Sequence, residues 1–256
     1  MLLAIDVGNT QTVVGVYQGE SLLHRWRVAT NKKHTSDELR VKLVPLLSSE
    51  GIAVGDLDGV ALASVVPQLT LSWCAAVRRM IGREALVCTA EAAGGLFEAD
   101  YPNPREVGAD RVADAVAAKA LYGAPVVVVD FGTATNIEVI DAEGKFVGGV
   151  IAPGVETSAS ALFSHATKLG AIDLVDPGVA IGRNTEEAIQ AGIVYGEADR
   201  VDGLVRRIFG QLGYEAPVVA TGGLASRVAA QSSTITATNP ELTLEGLRLI
   251  YAAREA

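Results

Sequence analysis

The sequence predicts an α/β fold assembled from two duplicated halves, each carrying an antiparallel three-strand meander flanked by helices. Three observations lead there. Four β-branched residues, Val126 to Val129, run into Asp130-Phe131-Gly132-Thr133-Ala134-Thr135, a fully buried strand delivering a carboxylate to a tight turn. The same grammar opens the chain as Leu2-Leu3-Ala4-Ile5 followed by Asp6-Val7-Gly8-Asn9-Thr10. Each copy is followed by further short strands separated by glycine turns. Two strands ending Asp-x-Gly-x-Thr, about half a chain apart, suggest a repeated module with a site between the halves.

The elements follow in order. Leu2 to Asp6, Thr12 to Tyr17 and Ser21 to Ala29 read as three strands, with Gln18-Gly19-Glu20 as a hairpin turn. A helix is expected from Ser36, its hydroxyl serving as cap, with Leu39, Leu43, Leu46 and Leu47 on one face. Asp58 to Val66 reads as a buried strand stopped by Pro67, Leu69 to Ile81 as a helix, and Leu86 to Thr89 as a short edge strand. Glu91 to Glu106 loosens into a loop containing Tyr101-Pro102-Asn103-Pro104, where function tends to sit. An alanine-rich helix opening at Val107-Gly108-Ala109-Asp110-Arg111 and reaching Tyr122 joins the halves. The second meander is Val126 to Asp130, Asn136 to Ile140 and Gly144 to Ile151. Helices are expected from Val155 to Leu162 and from Thr185 to Leu212, the latter bent at one of Gly192, Gly196 or Gly203. Pro217 to Ala220 is a last buried strand, Thr221-Gly222-Gly223 opens a helix to Ala230, and a final helix begins near Thr243 with Leu244, Leu247, Ile250 and Tyr251 at helical spacing. This places one domain at 1–120 and the other at 121–256.

Composition narrows the function classes. The 256 residues are 49% hydrophobic and 20% charged, the balance of a globular chain able to bury a core. A formal charge of -9 argues against nucleic acid or an anionic membrane as a partner, so any phosphate must be held locally. Cys74 and Cys88 are too few for a disulfide framework and lack metal-ligand spacing, and read as reduced, buried thiols. His24, His34 and His165 are scattered and read as surface or packing residues. With no leader pattern and no long apolar segment, the expected location is cytoplasmic.

The two Asp-x-Gly-x-Thr turns carry the chemistry. In the first, glycine lets the backbone approach a phosphate, while Asn9, Thr10 and Thr12 offer uncharged hydrogen bonds and Asp6 could hold a metal directly or through water. A lone copy would read as an ordinary hairpin with Asx-type turn bonds. Two facing copies can grip adjacent phosphates of one nucleotide. Both turns run strand to strand, without GxGxxG spacing, and no Gly-Lys-Ser/Thr follows a glycine-rich turn, so neither the dinucleotide fold nor the P-loop is indicated. Thr221-Gly222-Gly223 at a strand-helix junction could lie flat against an adenine or ribose, or could be a packing device.

Six segments together resemble the type III pantothenate kinase family. They are Asp6-Val7-Gly8-Asn9-Thr10, Glu106-Val107-Gly108-Ala109-Asp110-Arg111, Asp130-Phe131-Gly132-Thr133-Ala134-Thr135, Gly148-Gly149-x-Ile151-x-Pro153-Gly154, Gly182-x-Asn184-Thr185 and Thr221-Gly222-Gly223. They stand in this order over essentially the whole chain, and six motifs at fitting intervals are far more specific than any one. The resemblance implies the actin, hexokinase and sugar-kinase superfamily: two ribonuclease-H-like (actin-like ATPase) domains with ATP in the cleft. It implies transfer of phosphate from ATP to pantothenate, the first step toward coenzyme A, with Asp110 as base and Arg111 reaching the substrate carboxylate.

The remaining assignments are likewise implied by the resemblance. Asp6, Val7, Gly8, Asn9, Thr10, Gln11, Thr12, Val13, Thr133, Gly222 and Gly223 form the ATP site. Tyr101, Gly108, Ala109, Asp110, Arg111 and Thr185 form the pantothenate site, at a homodimer interface. Asp6 serves Mg²⁺ through the phosphates, and Asp130 a monovalent cation, K⁺ or NH₄⁺. One departure stands out: Lys168-Leu169-Gly170 occupies a place where Lys-Leu-Pro is expected. Two rivals share the motifs, a superfamily kinase for another small hydroxy acid and a non-catalytic nucleotide-binding accessory factor for transcription. Arg111 and Tyr101 suit an acceptor bearing a carboxylate, and a regulator that only binds has no need of Asp110.

Overall fold

The computed structural model describes residues 1–165 and 172–255. Lys168-Leu169-Gly170 lies outside them. The chain forms two compact units, Met1–Ala120 with Glu241–Ala256, and Leu121–Pro240.

The first unit holds β1 (Leu2–Val7), β2 (Gln11–Gln18), β3 (Ser21–Ala29), α1 (Ser36–Ser49), β4 (Gly59–Ser64), α2 (Pro67–Ile81), β5 (Leu86–Val87), α3 (Ala90–Ala93), β6 (Glu98–Ala99) and α4 (Ala109–Tyr122, whose last turn crosses the boundary). Its main sheet runs β3-β2-β1-β4-β5. The meander pairs are antiparallel, while β1–β4 and β4–β5 are parallel. Leu3, Ile5 and Val7 pack with Leu39, Leu43 and Leu47 of α1 and Leu69 and Trp73 of α2. The cap of α1 is Thr35, one residue before the expected Ser36. Its hydroxyl accepts from the Glu38 N–H while Glu38 accepts from the Thr35 N–H, a reciprocal box that satisfies two otherwise orphaned donors.

The second unit holds β7 (Val126–Phe131), β8 (Ala134–Ile140), β9 (Lys145–Pro153), α5 (Val155–His165), α6 (Thr185–Gln190), a π-helical turn (Ala191–Tyr195), α7 (Gly196–Leu212), β10 (Val218–Gly222), α8 (Ala225–Ala229) and β11 (Ala237–Thr238). Within this unit the strands run β11-β10-β7-β8-β9, with the pairings of the first unit repeated: two antiparallel, then two parallel. The duplication seen in sequence is therefore a duplication of topology. The bend expected within Thr185–Leu212 takes the form of the π-turn, which contains Gly192, one of the three glycines named for it.

The final helix, α9 (Leu242–Glu255), departs from the sequence expectation. It packs on β1, β2 and β4 and belongs to the first unit, not to the half in which it is encoded. The cause is steric fit. Gly246 lets α9 approach α4 so closely that a Cβ there would lie 2.0 Å from the Ala113 carbonyl oxygen, and Tyr251 lies over Gly59. Thr243 Oγ1 donates to Asp114 Oδ1 at 2.7 Å, which partners a carboxylate only 1% exposed.

Candidate functional site

Each unit carries one Asp-x-Gly-x-Thr hairpin, and the two are wired alike. Asp6 ends β1 beside Ala63 of β4, and Asp130 ends β7 beside Thr221 of β10. Both carboxylates are half-buried at the rim of an apolar sheet. In the first turn the Gly8 N–H donates to the Gln11 carbonyl at 3.0 Å, and the Thr10 carbonyl accepts from the Thr30 N–H at 2.9 Å. In the second the Gly132 N–H donates to the Ala134 carbonyl at 3.0 Å, and the Thr133 carbonyl accepts from the Gly154 N–H at 3.0 Å. The first loop is one residue longer, since Val7 faces Thr12 whereas Phe131 faces Thr135.

This geometry sorts the residues expected to hold a nucleotide. Asn9, Thr10, Gln11, Gly132 and Thr133 are exposed at the hairpin tips, able to present polar groups outward. Val7 is fully buried and has only its backbone to offer, and Val13 is half-buried. Thr12, expected to offer its hydroxyl outward, is 3% exposed and shares a hydrogen bond of 2.8 Å with Thr30 Oγ1, so it braces the hairpin from beneath. In the second unit Gly222 ends β10 against Phe131, and Gly223 follows it, exposed. Gly222 has φ +92°, and a Cβ there would lie 2.5 Å from Asp130 Oδ1 and 2.6 Å from the Phe131 carbonyl oxygen. Asp130, Thr133 and Thr221-Gly222-Gly223 are thus one neighbourhood, joined through the β7–β10 pairing.

Asp110 sits in the first turn of α4, half-buried, its Oδ1 accepting from the Arg111 N–H at 2.8 Å. Gly108 makes room for it, since a Cβ at that position would lie 2.6 Å from Asp110 Oδ1. Burial pushes the Asp110 carboxyl above its ordinary value, against the lowering effect of the Arg111 N–H and charge. Cys88 Sγ donates to the Ala109 carbonyl at 3.4 Å, and its thiol is pushed up to about 12 by burial first and then by Asp110, Asp114 and Asp6. Cys88 thus ties the start of α4 to β4, its own N–H donating to the Leu62 carbonyl at 2.8 Å, a link that sequence spacing did not reveal. Tyr101 lies half-buried in the loop before α4, next to a turn in which Asn103 Nδ2 donates to Glu106 Oε1. Thr185 opens α6 behind its cap Asn184, exposed.

The sequence reading did not single out α7. Glu197, 5% exposed, accepts from Thr135 Oγ1 at 2.6 Å and pairs with Arg200, whose Nη2 donates to the Pro153 carbonyl at 2.7 Å. A Glu interrupting the apolar run Val194, Ala198, Val201 and Val205, three residues before an Arg, is the signal that could have found it.

The repeated topology and the paired hairpins give the chain a fold of the actin-like ATPase and sugar-kinase type. Solved structures that align over nearly the full chain include the component A of (R)-2-hydroxyglutaryl-CoA dehydratase from Acidaminococcus fermentans (TM-score 0.62, 16% identity, 99% of this chain and 98% of that one) and a ROK hexokinase from Thermus thermophilus (TM-score 0.54, 15% identity, 99% of each chain). A chain from Campylobacter jejuni described as a Baf family transcriptional activator aligns at TM-score 0.63, with 17% identity over 99% of this chain and 98% of that one. At such identities the likeness is one of fold. The sequence profile of type III pantothenate kinase matches residues 2–207. Type III pantothenate kinases of Moorella thermoacetica and Brevibacillus brevis are 44% and 45% identical, covering 98% and 100% of this chain and the same shares of theirs. The chain belongs to the type III pantothenate kinase family.

Proposed function

We propose that this chain transfers the γ-phosphoryl group of ATP to the primary hydroxyl of pantothenate, giving 4′-phosphopantothenate, the first step of coenzyme A synthesis. The observation that carries the reading is Asp110, a half-buried carboxylate held at the start of α4 with Gly108 cleared beside it, in a chain belonging to this family. The acceptor oxygen forms a bond to the γ-phosphorus as the bond to the β–γ bridging oxygen breaks. Its proton passes to Asp110, and ADP leaves. Burial raises the proton affinity of Asp110 and so suits it to this step. Arg111, next along the helix, offers a planar pair of donors to the carboxylate of pantothenate, and Tyr101 and Thr185 add further contacts. The exposed backbone and hydroxyls of Asn9, Thr10 and Thr133 face the phosphates, and Gly222-Gly223 the adenosine.

Among the described residues no cluster of three or more His, Cys, Asp or Glu side chains could hold a metal. In the proposed site Mg²⁺ would be held by nucleotide phosphates and a single carboxylate, Asp6. Asp130 stands beside the Phe131 carbonyl at Gly222, a hard oxygen set suited to K⁺ or NH₄⁺. Bound there, the cations would neutralise phosphate charge that a chain lacking a P-loop lysine otherwise leaves to uncharged loops. We further propose a cytoplasmic homodimer with the acceptor site at its interface. No described helix is long and apolar enough to cross a membrane.

The test is ADP release with and without pantothenate, run in potassium and then in sodium. Pantothenate-dependent release, faster in potassium, is expected. Release that ignores pantothenate, or none at all, would overturn the assignment. The fold shared with the Campylobacter protein carries no argument for a regulator.

A further inference from the structure

The two hairpins share their wiring but differ in what lies beneath them. Thr12 and Thr135 occupy the same place, the first inward-facing residue after each turn, and both are buried. Thr12 is satisfied by a neutral hydroxyl, that of Thr30. Thr135 instead donates to the buried carboxylate of Glu197, itself paired with Arg200. Arg200 also reaches the Pro153 carbonyl at 2.7 Å. The next residue, Gly154, donates its N–H to the Thr133 carbonyl, and Thr157 Oγ1 donates to the same oxygen at 2.6 Å.

A continuous polar chain thus runs from α7 through Pro153 and Gly154 to the exposed tip of the second hairpin. Gly154 is fitted tightly into it, since a Cβ there would lie 2.3 Å from the Gly132 carbonyl oxygen and 2.7 Å from that of Thr133. Burying the Glu197 carboxylate beside a partly exposed Arg200 costs desolvation that packing alone would avoid, so its use where a hydroxyl suffices in the sister hairpin calls for a reason. Arg200 Nη2 reaches the Glu197 carboxylate and the Pro153 carbonyl at once, so this pair ties the helix to the backbone beside the hairpin, which the Thr12–Thr30 hydroxyl pair does not.

We infer that Glu197 and Arg200 are positioning residues for nucleotide binding, acting through Thr135 and Pro153 to hold the Gly132-Thr133 turn in the shape that receives phosphate. The inference rests on the proposed kinase reading for its kinetic arm only. Their contacts run to Thr135 and the Pro153 carbonyl, so the inferred role of the pair is in how ATP is gripped, leaving the proton transfer at Asp110 alone.

The experiment compares wild type, Glu197→Gln and Arg200→Lys with Asp202→Asn, a buried network residue of the same unit that ties the 232–234 loop and not the hairpin. ATP affinity is read by calorimetry, KM and kcat by ADP release, and folding by circular dichroism and Tm. Expected for Glu197→Gln and Arg200→Lys is an about tenfold weaker ATP Kd and a matching rise in KM for ATP, with kcat within about threefold. Asp202→Asn is expected to lower Tm with ATP affinity unchanged. Should Glu197→Gln not fold, Arg200→Lys, on a more exposed side chain, decides the matter. Folded variants with wild-type Kd and KM would overturn the inference, as would an equal loss of affinity in Asp202→Asn. Wild type that binds ATP without pantothenate-dependent turnover would sink the kinase reading while the Kd comparison still judges the positioning role.

Discussion

Gly222 and Asp130 occupy space that only one side chain can fill: a Cβ on Gly222 would stand 2.5 Å from Asp130 Oδ1. The contact joins the end of β10 to the end of β7, so the adenosine motif and the carboxylate proposed for a cation depend on each other. Gly222→Ala is expected to destabilise the chain by about 1–3 kcal/mol, from the left-handed φ and the clash together. It should also weaken the potassium dependence of turnover. Urea unfolding and rates in potassium against sodium check it, and an alanine variant with unchanged stability and cation response would contradict the shared geometry.

Asp110 carries the proton transfer in the proposed reaction. Asp110→Asn is expected to lower kcat by about 10²–10⁴ while ATP affinity and fold persist, because the amide keeps the shape and loses the basicity. Gly108→Ala should act in the same direction through displacement of the carboxylate. Near-normal turnover by Asp110→Asn would remove Asp110 from the role of base.

The pH dependence follows with its sign. Burial raises Asp110, and the base works only when deprotonated, so kcat/KM rises with pH through a value above the ordinary carboxylate 3.8. The acidic limb should disappear from the residual activity of Asp110→Asn. A limb at or below 3.8 would show that another group sets it.

Asp202 gives the opposite case. Burial raises its carboxyl, but hydrogen bonds from Ser232, Ser233 and Thr234 overrule that and hold it well below the usual range. A depressed folded-state value means stability present above about pH 4 and lost as pH falls toward the folded value. Asp202→Asn is therefore expected to cost on the order of 2 kcal/mol near neutrality, and the gap to wild type should close in acid. Denaturant melts at pH 7 and pH 3 measure both.

Gly246 tests the placement of α9. Gly246→Val is expected to cost about 3 kcal/mol, since the added atoms meet the backbone of Ala113 and cannot be relieved by a rotamer change. A neutral substitution would mean that α9 does not lie against α4.

Much of this was legible because buried strands announce themselves. Runs such as Leu2 to Ile5 and Val126 to Val129 admit little but interior strands, and an aspartate at the end of each marks the rim. The antiparallel part of each sheet followed from the repeated meander, while the parallel places of β4 and β10 beside β1 and β7 came from the structure. Other features depend on contacts distant in sequence. Nothing local in Leu244, Leu247 and Ile250 tells which sheet they cover, and the clue, Gly246 within the helix, acquires meaning only opposite Ala113. Thr35 took the cap from Ser36 because its partner Glu38 stands three residues on, a spacing that Ser36 lacks. The bend before α7 was visible as a scatter of glycines, but its π geometry fell on Ala191–Tyr195 and set the phase of Glu197. Thr12 looked like a ligand group in sequence, because alternation alone does not say which face of a hairpin meets the helices.

The return of α9 to the first unit has a consequence for biosynthesis. The second unit is contiguous in the chain and can close as soon as Pro240 has left the ribosome. The first unit must wait for its last helix through the 120 residues from Leu121 to Pro240, roughly 10 s of translation at ordinary rates. During that interval the faces of β1 and β4 that will receive Leu244, Leu247 and Ile250 stand uncovered. The half made first is thus the half finished last, and nascent chains stalled before Glu241 should be the ones that recruit chaperones.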